Sequence, residues 1–212
     1  MFKSTIALFD RYRSHLDSHC GPEFIRDLGA EVKERLEQLD FIVSKVMRLE
    51  QTVTAVHRRF ETTLKFHLED LESRGVPFEA EPDVPFAPMT PEEMELQKNA
   101  VFEMSLLTES FYYIAGRIRT ILRNAEAPIP GLTCFECEGV RNTRNHLLEH
   151  AEGKNSRVFS RSFGCGAIQG PVLKAIRSTG QKDIFPDRGL YKNAEEFRSN
   201  LERLLKLRLA GS

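Results

Sequence analysis

The stretch from Val140 to His150 gathers the side chains best able to do chemistry: Arg141, Asn142, Arg144, Asn145, His146 and His150. An imidazole titrates at about pH 6.5, so it can take or give a proton near neutrality. A guanidinium offers a planar fork of donors that suits phosphate or carboxylate oxygens. On a helical wheel begun at Val140, Leu147 at about 340°, Ala151 at about 20° and Leu148 at about 80° mark an apolar side. Arg144 falls at about 40°, inside that side, and His150 at about 280°, on its edge. Arg141, at about 100°, and His146, at about 240°, point further outward. A guanidinium aimed at a helix seam is costly without a partner, which makes Arg144 the most informative charge in the chain. Two partners remain open. One is an anion from outside; the other is a carboxylate of the long helices, with His150 capping a helix C-terminus.

Arg144-Asn145 followed by His150 resembles the R-x(4–6)-H motif of HEPN-domain proteins, and Arg141-Asn142 followed by His146 fits the same pattern in a second register. The resemblance implies a helical bundle, RNA as partner, and a metal-independent endoribonuclease site shared across a homodimer. It makes Arg144, Asn145 and His150 the candidate catalytic residues. Such cleavage needs a base for the ribose 2′-hydroxyl and positive charge on the crowded phosphate, roles that suit His150 and Arg144. Asn145 would orient the phosphate or the arginine. Arg144 and His150 stand about 120° apart on one straight helix. A second copy about a two-fold axis would bring a complementary set into one cleft. No cofactor is expected. The sequence names neither an RNA target nor an antitoxin-like partner.

Zinc is the weaker alternative. Cys134, Cys137, His146 and His150 have the right ligand types. However, the middle spacer is eight residues, against about twelve in familiar fingers. On one helix the thiols and the imidazoles would also face apart. Core thiols are the simpler reading. Gly164-Cys165-Gly166 and Gly170-Pro171 read as tight turns, because no helix start follows to complete a phosphate nest. His57 and His67, among Arg58, Arg59 and Lys65, read as solvent-facing.

The elements that must position these residues follow from periodicity. The chain has 212 residues, 29% charged and 41% hydrophobic, with a formal net charge of −1. That fits an ordinary globular protein with a core of its own and no strong overall pull toward nucleic acid. The distribution is uneven: residues 69–109 hold 11 acidic against 2 basic, and residues 117–182 hold 11 basic against 5 acidic. A phosphate-bearing partner should therefore meet the second half, unless both runs are simply solvated faces. Residues 1–9 lack a signal-peptide apolar run, and nowhere do about 18 apolar residues run together as a membrane span requires. With four cysteines read as free thiols, the expected setting is cytoplasmic, away from membranes.

Ser4 to His19 reads as a short helix, broken at Cys20-Gly21-Pro22. The residues Leu28, Val32, Leu36, Leu39, Val43, Val46, Leu49, Val53, Val56, Phe60, Leu64, Leu68 and Leu71 advance at a mean step of about 3.6, a helical stripe. Such a helix outruns a compact domain. It must kink or protrude to meet another chain. Arg74-Gly75 ends it, and a proline-rich connector covers 76–89. Thr90-Pro91-Glu92-Glu93 is a capping box with proline at the first helical position, opening an antiparallel partner of roughly 30 residues that stops before Pro128 and Pro130. A second capping box at Thr133 to Glu136 opens the motif helix, to His150. Residues 152–192 form an irregular insertion with a small hairpin near Val158 to Phe163, and a last helix runs from Asn193 to Leu209. The whole reads as one all-α domain, 4–75, 90–151 and 193–209 being its helical parts. A non-catalytic interaction or scaffold protein, working through the long helices, is the competing class. It predicts an exposed apolar stripe there.

Overall fold

The computed structural model describes residues 1–19, 22–75, 89–124, 137–149, 158–162, 172–176, 182–184 and 189–210. These form α1 (Lys3–His19), α2 (Pro22–Arg74), α3 (Pro91–Asn124), α4 (Glu138–Glu149), β1 (Val158–Ser162), β2 (Val172–Ile176), β3 (Lys182–Ile184) and α5 (Leu190–Ala210). The domain is an all-α bundle built on a long antiparallel pair, as the periodicity predicts. The backbones of the three strands pair antiparallel in the order β1-β2-β3, with Ser160 opposite Lys174 and Ala175 opposite Asp183. Among the described residues no helix is long and apolar enough to cross a membrane.

α2 is one continuous helix of 53 residues, about 80 Å at 1.5 Å per residue. It starts earlier than the apolar stripe suggests, with Pro22 at its first position, where a missing N–H costs nothing. It ends at Arg74, where Gly75 takes the left-handed φ of 65° that closes helices readily. The partner that so long a helix needs comes from the same chain. Three ion pairs fix α2 antiparallel to α3: Arg117 Nε to Glu31 Oε1 at 3.1 Å, Lys45 Nζ to Glu103 Oε1 at 3.3 Å, and Arg59 to Glu93. Glu93 also closes the predicted capping box. Its N–H donates to Thr90 Oγ1 at 3.2 Å, and Thr90 N–H donates to Glu93 Oε2 at 3.0 Å.

Burial shows where the stripe finds cover. Val32, Leu36, Leu39, Val43, Val46 and Val53 are buried against Met104, Phe111, Ala115, Ile118 and Leu122 of α3. Past Val53 the cover is uneven: Val56, Phe60 and Leu64 are half-buried, Leu68 is exposed and Leu71 is buried. The same arm holds His57 and His67, both half-buried rather than solvent-facing. His57 lies 3.2 Å from Glu61, with its ring beside Phe60.

α1 and α5 complete the core. Lys33 of α2 reaches Asp10 of α1 at 2.9 Å, and the Phe2 N–H donates to Asp40 Oδ1 at 2.7 Å. Phe2 is fully buried edge-on against Phe197 of α5. Beside that ring pair, Glu202 Oε1 accepts from Ser4 Oγ at 2.7 Å and from Thr5 Oγ1 at 2.8 Å, clamping α1 to α5. Arg198 Nη1 meets the same oxygen at 2.9 Å. At the other end of α5, Tyr191 donates to Glu50 Oε2 of α2 at 2.7 Å. The helix opens at Leu190, three residues before Asn193, because Asn193 serves inside the bundle and not as a cap.

Burial alone would raise the pKa of Glu202, but the Ser4 and Thr5 hydroxyls and the Arg198 guanidinium outweigh it and hold the carboxyl below its ordinary 4.5. A carboxyl with a lowered folded pKa binds fewer protons in the native state. Its stabilising contribution is therefore full above the unfolded value and is lost as pH falls through the folded one. Glu202→Gln should cost about 1–3 kcal/mol at neutral pH and should flatten the acid side of the stability curve. Thermal melts of both proteins between about pH 6 and pH 3 check this; parallel curves would remove the clamp from the acid response.

Candidate functional site

α4 is short and docks across α3 and α5. Cys137, Val140 and Thr143 are buried, as an amphipathic helix with 3–4 residue spacing requires. Its start at Glu138 puts a carboxylate in the first turn, where the helix dipole favours it. The capping box expected at Thr133 to Glu136 lies outside the described residues. Close approach to α5 depends on Gly139. A Cβ there would run into Asn193 Oδ1 and lie 3.2 Å from its Cγ.

Arg144 sits one turn beyond Val140, half-buried at the seam with α3. Its stem occupies the space left by a missing side chain. A Cβ on Gly116 of α3 would collide with Arg144 Cδ and lie 2.8 Å from Nε and 3.1 Å from Cγ. The arginine therefore lies along the α3 backbone. Among the described residues no carboxylate pairs with it, whereas Arg117, the next residue on α3, is held by Glu31. Arg141 is also half-buried on α4.

The wall of the seam is polar and neutral. Asn193 Nδ2 donates to the Tyr112 hydroxyl at 2.7 Å, and both residues are buried. Burial pushes the phenol far above its ordinary 10.0, and the Asn193 amide and the Thr143 hydroxyl offset only part of that. Thr143 Oγ1 forms no well-shaped hydrogen bond with a described residue, so it acts on the phenol as a nearby dipole. Tyr112 stays protonated across the working range and holds α3 to α5. It is not an acid or base.

The sequence-predicted residues divide accordingly. Arg144 and Arg141 are on α4 as expected. Asn145 and His146 belong to α4 and His150 follows it, but the side chains of Asn145 and His146, and His150 altogether, lie outside the described residues. Cys137 is a core thiol that accepts from Asn200 Nδ2 at 3.6 Å. Cys134, like the histidines of the zinc set, is not described, and among the described residues no three metal-ligating side chains come together. The segment around Cys165 also lies outside the description. Gly116, Tyr112 and Asn193 escaped the sequence reading. A lone glycine inside a strongly periodic helix, four residues after a tyrosine, was the available signal. Comparison with family models, with curated proteins and with solved structures returned no match.

The two seam glycines should respond differently to alanine. At Gly139 the obstacle is the buried, hydrogen-bonded Asn193, so Gly139→Ala should destabilise by about 1–3 kcal/mol. At Gly116 the obstacle is a flexible arginine stem, and alanine's helix preference of about 1 kcal/mol should offset much of the strain. Urea denaturation measures both. Equal losses would show that Arg144 is fixed as firmly as Asn193.

Proposed function

We propose that this protein is a HEPN-like RNA-binding protein that grips a phosphate with Arg144 and cuts RNA without a metal, as a cytoplasmic homodimer. The observation that carries the reading is Arg144, half-buried with its stem over Gly116 and with no carboxylate paired to it among the described residues. A cation removed from part of its water and given no internal counter-charge is stabilised by an external anion. RNA phosphate is the anion that the Arg144-Asn145…His150 resemblance implies. Arg141 adds a second guanidinium to α4.

The chemistry assigns one task to each residue. An imidazole of His150 takes the proton of the ribose 2′-hydroxyl, whose oxygen attacks phosphorus. The bond from phosphorus to the 5′-oxygen breaks, and an imidazolium returns a proton to that oxygen. Arg144 balances the added charge on the phosphoryl oxygens, and Asn145 orients them. On the sequence wheel Arg144 and His150 stand apart, and a second copy, whose complementary residue closes the site, removes that gap.

Purified protein should cleave single-stranded RNA in the presence of EDTA. Arg144→Ala and His150→Ala should each lower the rate at least about 100-fold, the scale of a lost acid–base group or charge stabiliser. Arg144→Ala should also weaken RNA binding, whereas His150→Ala should bind and not cut. Unchanged cleavage in both variants would remove the site, and protein that neither binds nor cuts RNA would end the proposal.

A further inference from the structure

Among the described residues no element covers the face of the α2–α3 pair opposite α1 and α4, and that face is rich in apolar side chains. Around α2, Gln38 and Ile42 lie on the flank of the α3-facing stripe away from Lys33 and Asp40, which meet α1, while Glu34, Glu37 and Phe41 stand on the outer side of the helix. Around α3, Gly116 and Tyr112 face α4 and α5, while Leu107, Ser110 and Ile114 lie on the other flank. Between these free flanks runs a groove of about 540 Å³ whose lining includes Phe41, Ile42, Leu107 and Ile114. Phe41 is 59% exposed, and Phe102, Leu106 and Tyr113 continue the apolar surface along the outer side of α3. Exposed apolar surface gathered at a groove marks interaction sites.

Charge decides what fits it. The ion pairs Glu31–Arg117 and Lys45–Glu103 strap the groove at either end. On α2 they stand 14 residues apart, about 21 Å along a helix. That is the span of four helical turns. Between the straps Glu34 and Glu37 line the groove and are exposed. Glu34 accepts only a weak bond from Gln38 at 3.2 Å, and among the described residues no cation meets either carboxylate. A second copy docking through the same face would set Glu34 and Glu37 near their own counterparts, while Lys45 and Arg117 are already paired and Arg48 lies beyond the Lys45 strap. Like charges brought together in this way oppose self-association.

We propose that the α2–α3 groove is a docking site for a basic amphipathic helix from another protein. Leucine-sized residues at positions i, i+4, i+7 and i+11 of that helix fill the space beside Phe41, and its flanking lysines or arginines meet Glu34 and Glu37. The mode is the helix-in-groove type. The site is separate from Arg144, which faces the other side of the pair, and it stands whether or not the protein cuts RNA.

The test uses the full chain and three labelled 16-residue helical peptides: leucine at those positions with lysine flanks, the same with glutamate flanks, and a scrambled leucine–lysine sequence. Fluorescence anisotropy should show the leucine–lysine peptide binding at least tenfold more tightly than the other two. Phe41→Ala should weaken it at least fivefold, and Glu34→Lys with Glu37→Lys should transfer the preference to the glutamate peptide. All three side chains are exposed, so the variants should keep the parent's circular dichroism, and Arg144→Ala should leave peptide binding unchanged. Equal binding of the peptides, no binding, or indifference to Phe41→Ala would overturn the proposal. So would sedimentation showing a dimer that Phe41→Arg dissociates, because the face would then belong to a second copy.

Discussion

A helix about 80 Å long with an apolar stripe along one side cannot satisfy that stripe by itself, and everything else in this protein is arranged around how α2 meets α3. Burial of aliphatic side chains, each contributing roughly 1.5–3 kcal/mol when fully covered, supplies the attraction between the two. It does not by itself fix how far one helix slides along the other. The ion pairs at Glu31–Arg117, Lys45–Glu103 and Arg59–Glu93 are consistent with a single register. Their exposure makes each a small energetic contribution, so their value lies in specificity more than in strength. Once that register is set, Gly116 and Tyr112 come to one flank of α3, and Leu107 and Ile114 to the other.

The pair therefore has two unlike faces. On one, α1, α4 and α5 close over the apolar surface, and the stem of Arg144 lies within that cover. On the other, the apolar surface is open and the excess charge at its groove is negative. The two classes of function weighed from the sequence make different demands, a cation held at a seam and a bare stripe on a long helix. The stripe of α2 is buried against α3 as far as Val53, and the exposed apolar side chain beside it at the groove is Phe41, which belongs to a different side of the helix.

How much of this was legible in the residues depends on the range of the interactions involved. The stripe from Leu28 to Leu71, the Thr90–Glu93 cap and the stop at Gly75 are local patterns, and they gave the helices and their ends closely. Arg144 stood out because a wheel alone puts a charge among apolar residues. The use of Gly116 as its bed was not legible, since it needs two helices brought together from distant parts of the chain. Asn193 misled for a related reason. Asparagine before an apolar run favours a cap, but a buried phenol 81 residues away claims its amide. The last helix starts a turn early as a result. The groove could be anticipated only as exposed apolar surface, because its walls belong to two helices whose register the sequence does not state.

The clamp between α1 and α5 has a consequence for how the molecule is made. Thr5 and Glu202 are 197 positions apart, and Phe2, fully buried, owes part of its cover to Phe197. During synthesis the α2–α3 pair can form while later residues are still inside the ribosome, since its partners lie far closer together along the chain. α1 can dock on α2 through Lys33–Asp10 and Phe2–Asp40, but the Phe2 ring keeps part of its surface in water until the residues around Phe197 have emerged. The nascent protein therefore passes through a stage with its central hairpin built and the Phe2 ring only partly covered, and the arrival of α5 ends that exposure.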